Sequence, residues 1–198
     1  MATDTSRAPR QTVVADHEQR AFRALLDAMS RPGTIHELPA ARATDGAWGS
    51  ALVVMQCLLD HEVTFAVEAD DRSVHEQILR RTGARSDVLA AAGYVLSDAA
   101  HAVEAIEMVS EGYLEEPERS ATVVVRVDAI GSGALRASLS GPGIESVQPL
   151  SVDGLDVAAL HALIERNAVY PTGIDIVLVD PQGRIACLPR STRIELED

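Results

Sequence analysis

The chain has 198 residues, 46% hydrophobic and 24% charged, enough for one domain that needs no disulfide or metal staple. Its formal net charge of −13 excludes a broad basic nucleic-acid surface. All 17 basic residues are arginine, which rules out a P-loop lysine and a lysine Schiff base, and with the latter any covalent pyridoxal phosphate chemistry. Residues 1–12 are polar and lack the apolar stretch of a secretory signal, so they read as a flexible tail ahead of a single domain over 13–198. No apolar run approaches the roughly 20 residues of a membrane span, so a cytoplasmic protein is expected, with no membrane partner.

Asp16 with Gln19 three residues later resembles a capping box, and Phe22, Leu25, Leu26 and Met29 recur on one helix face. Arg31-Pro32-Gly33 ends that helix, because the residue before proline avoids helical geometry. A second helix is predicted over 47–60; Val53, Val54 and Leu58 on its other faces imply burial on more than one side. Val63, Phe65 and Val67 alternate as a strand. A short helix over 72–82, a strand over 94–97 and a helix carrying Ala99, Ala102, Val103 and Ile106 follow. Glu111 to Arg119, with four glutamates, a glycine and a proline, reads as an acidic loop.

In the second half, Val123, Val125 and Val127 alternate with polar residues, as do Leu135, Ala137 and Leu139 beyond Gly131-Ser132-Gly133. That pattern predicts a β-hairpin. A helix is predicted over 156–166, then a buried central strand over 174–179. Asp180-Pro181-Gln182-Gly183 has the composition of a type I turn, with a return strand over 185–188. The expected architecture is α/β: a single-domain, three-layer mixed sheet of about six or seven strands with helices on both faces.

Local motifs exclude much chemistry. The three His-Glu pairs are followed by Ala21, Phe65 and Leu79 where a zincin needs its second histidine, so local spacing supports no metal site. No G-x-S-x-G elbow occurs. The Gly131-Ser132-Gly133 and Gly141-Pro142-Gly143 segments lack the last glycine of a dinucleotide fingerprint and read as turns. Cys57 and Cys187, both among apolar neighbours, read as small hydrophobes.

Three segments are richer in polar chemistry than their structural roles demand: Arg23 to Gly33, Asn167 to Asp175, and Pro189-Arg190-Ser191-Thr192. Arginine offers forked donors suited to phosphonate or phosphate oxygens, and Ser or Thr hydroxyls complete such pockets. The candidate substrate-binding residues are therefore Arg23, Ser30, Asp175, Arg190 and Thr192, with no catalytic residue assigned. In the competing reading each arginine pairs with one of the 30 carboxylates.

The same segments carry a resemblance. Phe22-Arg23, Ala28-Met29-Ser30, Pro32-Gly33, Gly141-Pro142-Gly143-Ile144, Pro171, Gly173-Ile174-Asp175 and Pro189-Arg190-Ser191-Thr192, in that order, resemble the PhnH family, subunits of the bacterial carbon–phosphorus lyase. Tyr170 and Thr172 depart from that pattern, where phenylalanine and a larger aliphatic residue are expected. The resemblance implies phosphonate catabolism under phosphate starvation. It also implies a fold like that of pyridoxal-phosphate-dependent transferases without the cofactor, and a homodimer. Partners of the G, I, J and L types are implied with it. The implied activity is help in forming a ribose 1-phosphonate 5-triphosphate from ATP and an alkylphosphonate, as an accessory or scaffold and not as sole catalyst. The alternatives are a subunit that carries the phosphonate or ATP pocket itself, or a stand-alone enzyme on the same fold.

Overall fold

A computed structural model describes residues 10–197, so most of the expected tail lies outside the described residues. Helix α1 spans Arg10–Ser30 and ends before Pro32, as expected. Asp16 does not cap it; it sits inside the helix and pairs with Arg20 at 3.2 Å. The buried face also differs from the predicted stripe: Ala21, Leu25 and Ala28 point inward, while Phe22 and Leu26 are exposed. Small alanines let α1 pack closely on its neighbours, which leaves the bulkier side chains outside.

The remaining elements are β1 (His36–Glu37), α2 (Gly49–Leu58), β2 (Thr64–Glu68), α3 (Ser73–Thr82), β3 (Arg85–Ser86), β4 (Tyr94–Asp98), α4 (Ala102–Met108) and β5 (Thr122–Arg126). They continue with β6 (Ala129–Ser140), β7 (Gln148–Asp153), α5 (Val157–Arg166), β8 (Asp175–Val179), β9 (Arg184–Leu188) and β10 (Arg193–Leu196). Asp156 starts α5 by accepting the Ala158 amide at 2.8 Å. A seven-stranded mixed sheet has the order β1-β9-β8-β5-β4-β2-β3; the pairs from β8 to β3 are parallel, and β1, β9 and β8 are antiparallel neighbours.

One correction concerns the hairpin. β5 does not pair with β6: it lies between β4 and β8, parallel to both. Val123, Val124 and Val125 are all buried, so β5 is covered on both faces, and the apparent alternation passed over Val124. Gly131-Ser132-Gly133 lies within β6, which pairs with β7 and β10 in a separate three-stranded antiparallel sheet. That small sheet was not expected.

The core divides at the large sheet. On one side Ala21, Leu25, Leu52, Met55, Val74 and Ile78 from α1, α2 and α3 pack with Phe65, Leu96, Val124 and Val177. On the other, Ala105, Ile106, Leu160 and Leu163 from α4 and α5 join Val95, Val123, Val125 and Ile176, together with Ile130, Leu139 and Leu150 of the small sheet. Helices thus cover both faces, as expected, but one outer layer is half β. The fully buried Asp180 ties the two sheets together. Its carboxylate accepts the amides of Gln182 and Arg184 and the Arg184 Nε–H within the β8–β9 turn, and the Ile130 amide of β6.

Candidate functional site

The predicted residues that converge do so at the edge where β4, β5 and β8 begin. Register places Tyr94, Thr122 and Asp175 side by side across these strands. Arg190 follows the end of β9 and folds onto Asp175. Its backbone N–H donates to Asp175 Oδ1 at 2.8 Å, its Nη2 to Oδ2 at 2.7 Å and its Nε to Oδ1 at 3.3 Å. The Nη1 donates to the Pro117 carbonyl at 2.7 Å. Both side chains are mostly buried, 19% and 15% exposed. Three of the five guanidinium N–H groups are thereby used, so Arg190 is a positioned wall with spare donors and not a free cation.

The loop between α5 and β8 is pinned beside this pair. Asn167 accepts the Ile174 amide at 2.8 Å and donates to the Ile174 carbonyl at 3.1 Å. Gly173, at φ 136°, leaves no room for a side chain: a Cβ there would lie 2.5 Å from Asn167 Oδ1 and 3.2 Å from Arg190 Cβ. Its amide donates to the Glu111 carbonyl at 2.9 Å, which joins this loop to the acidic loop.

Arg190 is shared by three adjoining concavities that together form a groove. One end, about 600 Å³, is lined mainly by Leu163, Ile164, Ile194, Pro142 and Tyr170. Thr192 also lines it; the residue is 7% exposed and its hydroxyl has no hydrogen-bond partner among the described residues. A middle section of about 370 Å³ is flanked by Pro117, Tyr170, Asp175 and Ser191. The other end, about 820 Å³, is polar, with Arg85, Arg119, Tyr94, Thr64, Ser120 and Thr122 beside Glu62 and Glu118. Burial, reinforced by the charges of Asp60 and Asp175, pushes the Tyr94 phenol up, so it remains a hydrogen-bond donor at neutral pH. Cys187 is buried, and burial with the nearby Asp175 charge raises its pKa too, which leaves it an unreactive apolar filler. Cys57 is likewise pushed up to about 11, chiefly by burial.

The groove therefore has an apolar end and a polar end rich in donors, joined past one fixed guanidinium. Among the described residues, no cluster of three metal-ligating side chains is present. The His101–Asp98 pair stands at the opposite end of β4 from Tyr94.

The family model for the bacterial phosphonate metabolism protein PhnH matches residues 11–195. The chain belongs to the PhnH family. A relative from Stutzerimonas stutzeri described as a C-P lyase subunit protein, HtxG, is 39% identical over 183 residues, covering 92% of this chain and 88% of the relative. The alpha-D-ribose 1-methylphosphonate 5-triphosphate synthase subunit PhnH of Rhizobium meliloti (strain 1021) is 32% identical over 183 residues, 90% of each chain.

Within this PhnH-family fold, Asp175, Arg190 and Thr192 meet at the groove. Ser30 reaches it only indirectly. Its hydroxyl turns back to the Asp27 carbonyl at 3.0 Å, while its own carbonyl packs against Gly143, next to the groove-lining Pro142. Arg23 is exposed on α1 and lines none of the three concavities, and its side chain makes no hydrogen bond or ion pair among the described residues. Arg85, Tyr94, Arg119, Ser120 and Thr122 were not among the residues expected at the site. Their convergence depends on strand order, for which no local motif carries a signal. Asn167 and Tyr170 lie in a segment already singled out, but their separate roles needed the loop geometry.

Proposed function

We propose that this chain is an accessory subunit of a carbon–phosphorus lyase system. In this role it assists formation of a ribose 1-phosphonate 5-triphosphate from ATP and an alkylphosphonate, with G-, I-, J- and L-type partners. The observation that carries this reading is the family match over nearly the whole chain, to relatives described as lyase and synthase subunits. Displacement at an anomeric carbon needs phosphate-binding cations and a proton donor for the leaving base. The groove supplies fixed donors around Arg190, and the partners supply the remaining catalytic groups.

A second reading, that this subunit itself holds part of the substrate, is favoured by the groove's two unlike ends. The apolar end suits a nucleobase, and the arginine-bearing end suits phosphonate or phosphate oxygens. No pyridoxal phosphate takes part through an aldimine, since the chain has no lysine. We place it in the bacterial cytoplasm, as a homodimer on a fold of the pyridoxal-phosphate-dependent transferase type, made during phosphate starvation. Among the described residues, no helix is long and apolar enough to cross a membrane.

Affinity capture of the tagged chain from its host in phosphate-limited medium tests the role. Co-purification of other lyase subunits in fixed proportion is expected. Capture of this chain alone, while those subunits are expressed, would contradict it.

A further inference from the structure

The loops that wall the groove also carry an unusual group of exposed apolar side chains. Tyr113 is 61% exposed and Leu114 64%; Val169 is 64% and Tyr170 70%. They belong to two abutting segments, joined where the Gly173 amide donates to the Glu111 carbonyl. Neither segment is a loose tip. Glu111 bridges to Ser120 in β fashion, and the Ala121 amide donates to the Ser110 carbonyl at 2.8 Å. Tyr113 and Glu116 exchange backbone hydrogen bonds of 3.3 and 3.1 Å, which closes a tight turn under Leu114. Asn167 pins the second segment at Ile174.

Apolar side chains held out on braced backbone lose little conformational entropy on docking, unlike those of a mobile loop. Their exposure serves no core, and Tyr and Leu at the centre of a polar rim are the composition of a docking surface. The rim is acidic. Arg119 pairs with Glu116 at 3.0 Å and Arg166 approaches Glu111 at 3.6 Å, but Glu115 and Glu118 have no ion-pair partner among the described residues. On a chain of net charge −13 this rim repels a second copy presenting the same face, and attracts a basic one.

We propose that the Tyr113-Leu114 turn and the Val169-Tyr170 segment form the docking surface for a different protein chain, one presenting an apolar patch rimmed by arginine or lysine. Tyr170 and Glu118 belong both to this surface and to the groove wall, so the docked partner covers the groove mouth and completes the site. The inference rests on the subunit reading and assigns that reading its surface.

The test is capture of the tagged full chain co-expressed with the other lyase subunits. Wild type is compared with Tyr113→Ala/Leu114→Ala, with Glu115→Arg/Glu118→Arg, and with Phe22→Ala/Leu26→Ala on the outer face of α1. Thermal melting and light scattering of each free variant report fold and self-association. The first two variants are expected to lose partner recovery at least tenfold, with melting and self-association unchanged, while the α1 variant recovers partners as wild type does. Wild-type capture should also weaken as salt rises. Undiminished recovery by the first two variants overturns the proposal and leaves the subunit reading intact. A change confined to self-association overturns it in favour of a second copy. Failure of the wild type to recover any partner overturns the subunit reading itself, and the proposal with it.

Discussion

Asp175 and Arg190 brace the groove through a single, largely buried pair. The carboxylate accepts three N–H groups from Arg190, backbone included, and the guanidinium bridges on to Pro117. Removing one partner of a largely buried pair leaves the other charge uncompensated, which costs about 3 kcal/mol. Arg190→Ala is therefore expected to lower the unfolding free energy by about that amount in urea titration. On the second reading, in which this subunit holds part of the substrate, it is also expected to weaken ATP binding by the folded protein in calorimetry. Arg190→Lys keeps the charge but loses the fork, so it recovers only part of either effect. His101 gives a second prediction at this scale. Its Nδ1–H donates to Asp98 at 2.7 Å and its Nε2 faces the exposed Asp70 at 3.7 Å. The Asp98 hydrogen bond, joined by the charges of Asp98, Asp70 and Glu68 and opposed by partial desolvation, holds its pKa above the ordinary histidine value. A raised folded pKa contributes stability that is fully present below about pH 6.5, and it is lost as pH rises through the folded value. Thermal melting should fall over that window in wild type and stay flat there in His101→Gln.

At the scale of elements, the α5–β8 loop is held by glycine as much as by hydrogen bonds. Gly173→Ala places a methyl against Asn167 and Arg190 at a backbone angle that disfavours side chains. A cost of roughly 1–3 kcal/mol is expected in denaturant titration. The paired Asn167→Ala change should then cost less in that background than alone, because both act on the same contact. This loop was partly legible beforehand, since Pro171, Gly173 and Asp175 stood out before a fully apolar strand. β8 and the turn into β9 were legible because burial on both faces leaves a continuous apolar run. β5 was misread because its run of three valines was taken as alternation, which hid its central place and suggested a hairpin with β6. The stripe on α1 misled for a different reason: burial there follows the small residues Ala21 and Ala28, while Phe22 and Leu26 face outward. Arg190 and Thr192 were legible as an arginine beside hydroxyls. Tyr94, Arg85 and Arg119 were not, because segments far apart in sequence meet only through strand order and register.

For the whole molecule, the large sheet sets a rigid edge, the small sheet and α5 build one wall of a groove on it, and two braced loops carry that groove to the surface. An acidic chain whose groove arginine, Arg190, is already paired with Asp175 is a poor sole catalyst for joining two strongly anionic substrates. The same chain is well suited to complete a site whose cations come from elsewhere. The most direct measurement is adenine release from ATP and methylphosphonate by the reconstituted lyase subunits, with this chain present, omitted, or alone. The account predicts release only when this chain and its partners are together. Undiminished release on omission, or release by this chain alone, would contradict it.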